Sequence, residues 1–146
     1  MIVRLEENKA QKEIEVLIKY ASMNETVQKL KTLITSVDKT IKCSSDNSIV
    51  WVNASDIYYI EVVDGRTFIY CESTVYESNL RLYQLSEELS DLGFVQVSKS
   101  CILNIHVLDC IRPLINSRLE ATLCNGERIY VTRKYVPAIH NKLQGR

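Results

Sequence analysis

The chain has 146 residues, 46% of them hydrophobic, with only four glycines and two prolines and a formal net charge of zero. That composition excludes a disordered chain and suffices for one domain with a real core and a short appendage. The N-terminal Met-Ile-Val-Arg-Leu-Glu-Glu lacks a signal peptide's apolar stretch, and no run of about 18 uncharged apolar residues occurs, so a soluble cytoplasmic protein is expected.

Residues 1–39 read as an N-terminal strand-strand-helix segment, a candidate dimerisation or regulatory region. Ile2, Val3 and Leu5 suggest a short strand. Ile14, Val16 and Ile18 alternate with Glu13, Glu15 and Lys19 in the period-two pattern of a half-buried strand. Asn24 is placed to cap a helix whose Val27, Leu30, Ile34 and Val37 share a face. Thr40 to Ser48, rich in Ser, Asp and Asn, reads as a connection into the next unit.

Residues 40–146 are dominantly β. Ile57 to Ile60 is apolar on both faces, and Asp64-Gly65 lies between two strand-like runs, a strong hairpin signal because both turn residues tolerate positive φ. Asn125-Gly126 repeats that signal, and Asn116-Ser117 joins the Cys110–Ile115 run to Leu119–Leu123. Connections this short make the strands antiparallel. One long helix interrupts them, capped by Ser78 or Asn79, with Leu82, Leu85, Leu89 and Leu92 on one face and Gly93 at its end. A short C-terminal helix follows Tyr135, with Pro137 in its first turn and Ile139 and Leu143 facing the core.

The charge is unevenly distributed along the chain. Residues 38–93 carry four Lys/Arg against ten Asp/Glu, whereas residues 94–146 carry eight against three. Such asymmetry suggests a basic surface suited to a polyanion.

Catalysis finds no foothold. There is no phosphate-binding glycine loop, and His106 and His140 lie near no nucleophile motif, so neither an enzyme nor a cofactor is expected. The five cysteines (Cys43, Cys71, Cys101, Cys110, Cys124) are scattered without the spacing of a metal site, and read as mostly buried thiols of a reducing compartment. A helix-turn-helix is also missing, and the one amphipathic helix carries Glu87, Glu88 and Asp91, the wrong sign for a phosphate-lined groove. Basic groups for DNA must therefore come from loops: Lys99, Arg118, and Arg133 with Lys134. Beside them stand Ser98, Ser100, Asn116 and Ser117, residue types that bond phosphates and base edges.

Phe94 to Asn104, FVQVSKSCILN, resembles the signature of the LytTR family of bacterial DNA-binding domains. Ser55 to Glu61 resembles the family's early strand, Ser78 to Gly93 its helix, and Asn125 to Tyr135 its closing hairpin and basic turn. The resemblance covers residues 40 to 144. It implies an elongated, mainly β, antiparallel fold whose loops enter successive major grooves of double-stranded DNA. By position, the DNA-facing loops are Ser98-Lys99-Ser100, Asn116-Ser117-Arg118 and Arg133-Lys134, and Asn104 orders the backbone of the first loop. Many family members have histidine then arginine where this chain has Ser98 and Lys99, and an aromatic at Cys101, so the arginine fork is lost here. The serine-lysine-serine version is similar to short stand-alone regulators without a receiver domain, a reading that fits the few residues before position 38. For that subgroup the resemblance implies a small membrane protein as regulatory partner. Limited base readout by short loops predicts a homodimer on repeated half-sites. A protein-interaction module of the same fold that has lost DNA binding is the alternative.

Overall fold

A computed structural model describes residues 1–144 of the chain. The two strands expected before residue 20 do not form; residues 1–23 contain only a turn at Asn8–Gln11, and their apolar side chains are exposed apart from the half-buried Ile18. A strand needs a ladder partner for its N–H and C=O groups, and among the described residues no strand pairs with this segment. Helix α1 (Glu25–Val37) forms as expected, with Asn24 Oδ1 accepting from the Val27 N–H at 2.9 Å. Its predicted face is only partly covered: Val27 is buried and Leu30 half-buried, while Ile34 and Val37 stay exposed.

Seven strands build the first sheet: β1 (Thr40–Ser45), β2 (Ser48–Asn53), β3 (Tyr59–Val63), β4 (Arg66–Tyr70), β5 (Val75–Ser78), β6 (Phe94–Ser98) and β7 (Cys101–Asn104). Their order is β2-β1-β5-β4-β3-β7-β6, with antiparallel pairing throughout. Thr40–Ser45 is thus a strand and not a connection. Ile41 and Cys43 point into the core while Lys42 and Ser44 face water, and only Asp46-Asn47, both at positive φ, make the turn. Asp64-Gly65 forms the expected left-handed turn between β3 and β4.

Three more strands, β8 (Leu108–Pro113), β9 (Leu119–Leu123) and β10 (Arg128–Val131), form a second antiparallel sheet in the order β10-β9-β8. Its Asn125-Gly126 turn is not the double left-handed kind. Only Gly126 takes positive φ, and the Leu123 N–H reaches across to the Glu127 carbonyl at 2.8 Å.

The helix expected over Ser78–Gly93 is shorter. Ser78 ends β5, its Oγ accepting from the Leu80 N–H, and α2 spans Leu82–Leu89 behind Arg81. A 3-10 turn at Ser90–Leu92 and Gly93 at φ 86° then reverse the chain. A Cβ at Gly93 would stand 2.5 Å from His106 Nε2, so close approach as well as conformation requires glycine there. Helix α3 (Val136–Gln144) begins with Pro137 in its first turn and buries Ile139.

Two clusters hold the molecule together. Ile41, Ile57, Ile60, Ile69, Leu85, Leu89 and Ile102 fill the space between α2 and one face of the first sheet. Val97, Leu103, Ala121, Leu123, Val131 and Ile139 join the opposite face to the second sheet and α3. β7 is buried along its whole length because successive residues feed opposite clusters. Of the thiols, Cys43 and Cys101 are buried and Cys71 half-buried, but Cys110 and Cys124 are exposed, fewer buried than expected. Burial pushes Cys43 and Cys71 up to about 11 and Cys101 to about 12, which keeps them protonated and unreactive.

Candidate nucleic-acid interface

Strand register decides which loops share an end. Glu61 pairs with Cys101, and the Val62 N–H donates to the Ser100 carbonyl at 2.9 Å, which sets the β6–β7 turn beside the Asp64-Gly65 turn. In the second sheet Leu119 pairs with both Val131 and Pro113, so Thr132 and the β8–β9 connection lie at one end. The Thr132 N–H then donates to the Val97 carbonyl at 2.9 Å, joining the two ends into one rim. Ser98-Lys99-Ser100, Asn116-Ser117-Arg118 and Arg133-Lys134 are brought together along it.

Local hydrogen bonds stiffen the loops. Ser98 sits at a bulge in the β6–β7 pairing, its Oγ accepting from the Ser100 N–H at 3.3 Å, and Gln96 Nε2 donates to the Lys99 carbonyl at 3.4 Å. Ser98 therefore shapes the turn that presents Lys99. Asn116 and Ser117 both take left-handed backbone conformations, at φ 67° and 60°, within a 3-10 turn spanning Ile115–Ser117. Arg133 and Lys134 occupy the 3-10 turn Arg133–Tyr135 that leads into α3.

Charge pairing separates structural cations from available ones. Arg112 and Arg128 both approach Glu120, at 3.1 and 3.9 Å, and Lys142 Nζ donates to the Ser90 carbonyl at 2.8 Å. Arg66 makes a two-point contact with Glu77, at 2.9 and 2.7 Å, which holds the Glu77 carboxyl below its usual range. Among the described residues Lys99, Arg118, Arg133 and Lys134 are exposed and make no ion pair; Lys134 Nζ lies 5.7 Å from the centre of the Tyr135 ring. Of the acidic groups at this end, Asp46 and Glu77 belong to the β1–β5 part of the first sheet, away from the second sheet, whereas Asp64 lies in the β3–β4 turn beside the Lys99 turn. The rim is therefore polar in charge, and its basic half is where the two sheets meet.

Asn104 does not serve the first loop. It lies at the other end of β7, buried, where its Nδ2 donates to the Ile57 carbonyl at 2.8 Å and its Oδ1 accepts from the His106 N–H at 3.0 Å. Strand direction alone explains the correction: Cys101 is the rim end of β7 and Asn104 its far end. Sequence reasoning also passed over Ile115, 82% exposed at the tip of the β8–β9 connection. A large apolar residue beside Asn-Ser in a turn was the available signal. Among the described residues no group of His, Cys, Asp and Glu could hold a metal ion, and no helix is long and apolar enough to cross a membrane.

The sequence profile of the LytTr DNA-binding domain matches residues 47–144. The sensory transduction protein LytT of Bacillus cereus is 27% identical over 136 residues, which cover 90% of this chain and 55% of that protein. Its counterpart in Enterococcus faecalis is 29% identical over 105 residues, or 72% of the chain and 43% of that protein. The chain thus spans about half the length of these relatives. A Staphylococcus aureus protein named as an uncharacterized HTH-type transcriptional regulator is 26% identical over 123 residues, 83% of each chain. A solved LytTr DNA-binding domain from Bacillus cereus superposes with a TM-score of 0.68 at 22% identity, covering 73% of this chain and 97% of that one.

Proposed function

The chain belongs to the LytTr DNA-binding domain family, which is not an enzyme family, and from that premise we propose that it is a cytoplasmic transcription regulator whose basic rim reads successive major grooves of double-stranded DNA. The observation that carries this reading is the convergence on one rim of four cations from three loops that make no ion pair among the described residues, secured by the Thr132–Val97 bond. Lys99 neutralises phosphate from a turn that Ser98 shapes. Arg118, Arg133 and Lys134 flank it, and Arg133 and Asn116 bring side-chain donors of the kind that bond base edges. Ile115 supplies apolar contact to a thymine methyl or a sugar. A rim this short reads few base pairs, so two copies on repeated half-sites provide the remaining specificity.

A gel shift on the promoter of the protein's own operon, with random-sequence competitor, tests the reading. Lys99→Ala is expected to weaken binding alike on all sequences and to lower the log–log salt slope by about 0.9. Arg133→Ala or Asn116→Ala should cost about 1–3 kcal/mol and relax preference at one base pair. Unchanged affinity in all three variants would remove these loops from the interface.

A further inference from the structure

We propose that residues 1–23 form a two-fold dimer interface, in which the Glu13 to Ala21 segments of two copies pair as antiparallel strands centred on Leu17. This names the surface by which the two copies of the DNA-binding reading meet, and rests on that reading only for the need of a dimer.

The segment is uncovered in the single chain. Val3 is 76% exposed, Leu5 93%, Ile14 97% and Leu17 73%, an apolar stretch that monomers seldom leave in water. Its alternation is that of a strand with one face to bury, and its backbone groups from Glu13 to Tyr20 find no ladder among the described residues. One turn of the arm is already made: the Gln11 N–H donates to the Asn8 carbonyl at 2.9 Å and the Ala10 N–H to Asn8 Oδ1 at 3.0 Å. Continuing that turn as a hairpin sets Leu5 opposite Ile14, Arg4 opposite Glu15 and Val3 opposite Val16. Val3, Leu5, Ile14 and Val16 then share one face; on the other Arg4 meets Glu15 and Ile2 meets Leu17, while Glu6 stands opposite Glu13 near the turn.

A second copy fits the open side of this hairpin better than an unrelated strand does, because the sequence complements itself. Antiparallel pairing about Leu17 sets Glu15 opposite Lys19 twice by symmetry. Val16 faces Ile18, and Ile14 faces Tyr20, an aliphatic-aromatic pair of the favourable kind. A two-fold at Glu15 instead opposes like charges, and one at Val16 sets Glu15 against Leu17. Charge and apolar matching therefore select both the partner and the register.

The test uses the full chain. Sedimentation equilibrium at micromolar concentration, without DNA, should give the mass of two chains. Glu15→Lys and Lys19→Glu each convert both ion pairs into like-charge contacts, and each should weaken association by about tenfold to a hundredfold. The double variant with Arg4→Glu added, which restores the charge pair within each hairpin as well as between the copies, should recover the two-chain mass. Glu13→Lys, which faces Ala21 in this register, should leave it unchanged. A single-chain mass for the wild type, full association of Glu15→Lys, or no recovery in the triple variant would overturn the proposal. The arm variants keep the rim intact, so their salt-dependent affinity for a single half-site should match the wild type. Loss of DNA binding by rim variants that remain dimeric would strike the rim alone.

Discussion

Replacing Lys99, Arg118, Arg133 and Lys134 together by alanine is expected to abolish operator binding at physiological salt while leaving the fold intact. Each phosphate contact releases about 0.9 counterion, so losing those of Lys99, Arg118 and Lys134 lowers the log–log salt slope by about 2.7. At 0.15 M salt that corresponds to a loss of about two orders of magnitude in affinity, to which the lost base contact of Arg133 adds about another. The four side chains are exposed and make no ion pair among the described residues, so their removal should change stability by no more than about 0.5 kcal/mol each. Arg112→Ala with Arg128→Ala is the contrasting pair. Both cations attend the buried Glu120, and their loss should disturb the second sheet more than the salt slope. Equal slopes for the quadruple variant and the wild type would place the phosphate contacts elsewhere.

Asn104→Ala should lower stability by about 2–4 kcal/mol, because it removes the donor for the buried Ile57 carbonyl and the acceptor for the His106 N–H in one step. Asn104→Asp should be no milder: it keeps an acceptor for His106 but turns a carboxylate oxygen toward the Ile57 carbonyl. Urea titration measures both. In the folded population of either variant the affinity for DNA should equal that of the wild type, since the first loop lies at the opposite end of β7. A variant that stays stable yet loses DNA affinity would return Asn104 to the loop.

Those two predictions separate what neighbouring residues encode from what the fold brings together. The Asp64-Gly65 and Asn116-Ser117 turns, the Leu82/Leu85/Leu89/Leu92 face and the Pro137 helix start are local signals, legible because turn conformation and helical spacing act over a few residues. The loop cations were legible for the same reason. Their convergence was not, because it depends on Thr132 reaching Val97 across 35 residues and on the register of Leu119 with Val131. Asn104 was misassigned on similar grounds: its partner Ile57 lies 47 residues away. Thr40–Ser45 was missed because serines and a lysine fill the water-facing side of an edge-proximal strand, where composition resembles a loop. The arm before α1 was read as strands from its alternation, yet alternation encodes a face to be buried and not the partner that buries it.

Amide chemical-shift mapping of the full chain, titrated with an operator duplex, tests the rim most directly. The largest shifts should fall at residues 98–100, 115–118 and 132–135, with the β9–β10 turn at 124–127, at the far end of the second sheet, unmoved. Shifts concentrated at 124–127 with a silent rim would contradict it.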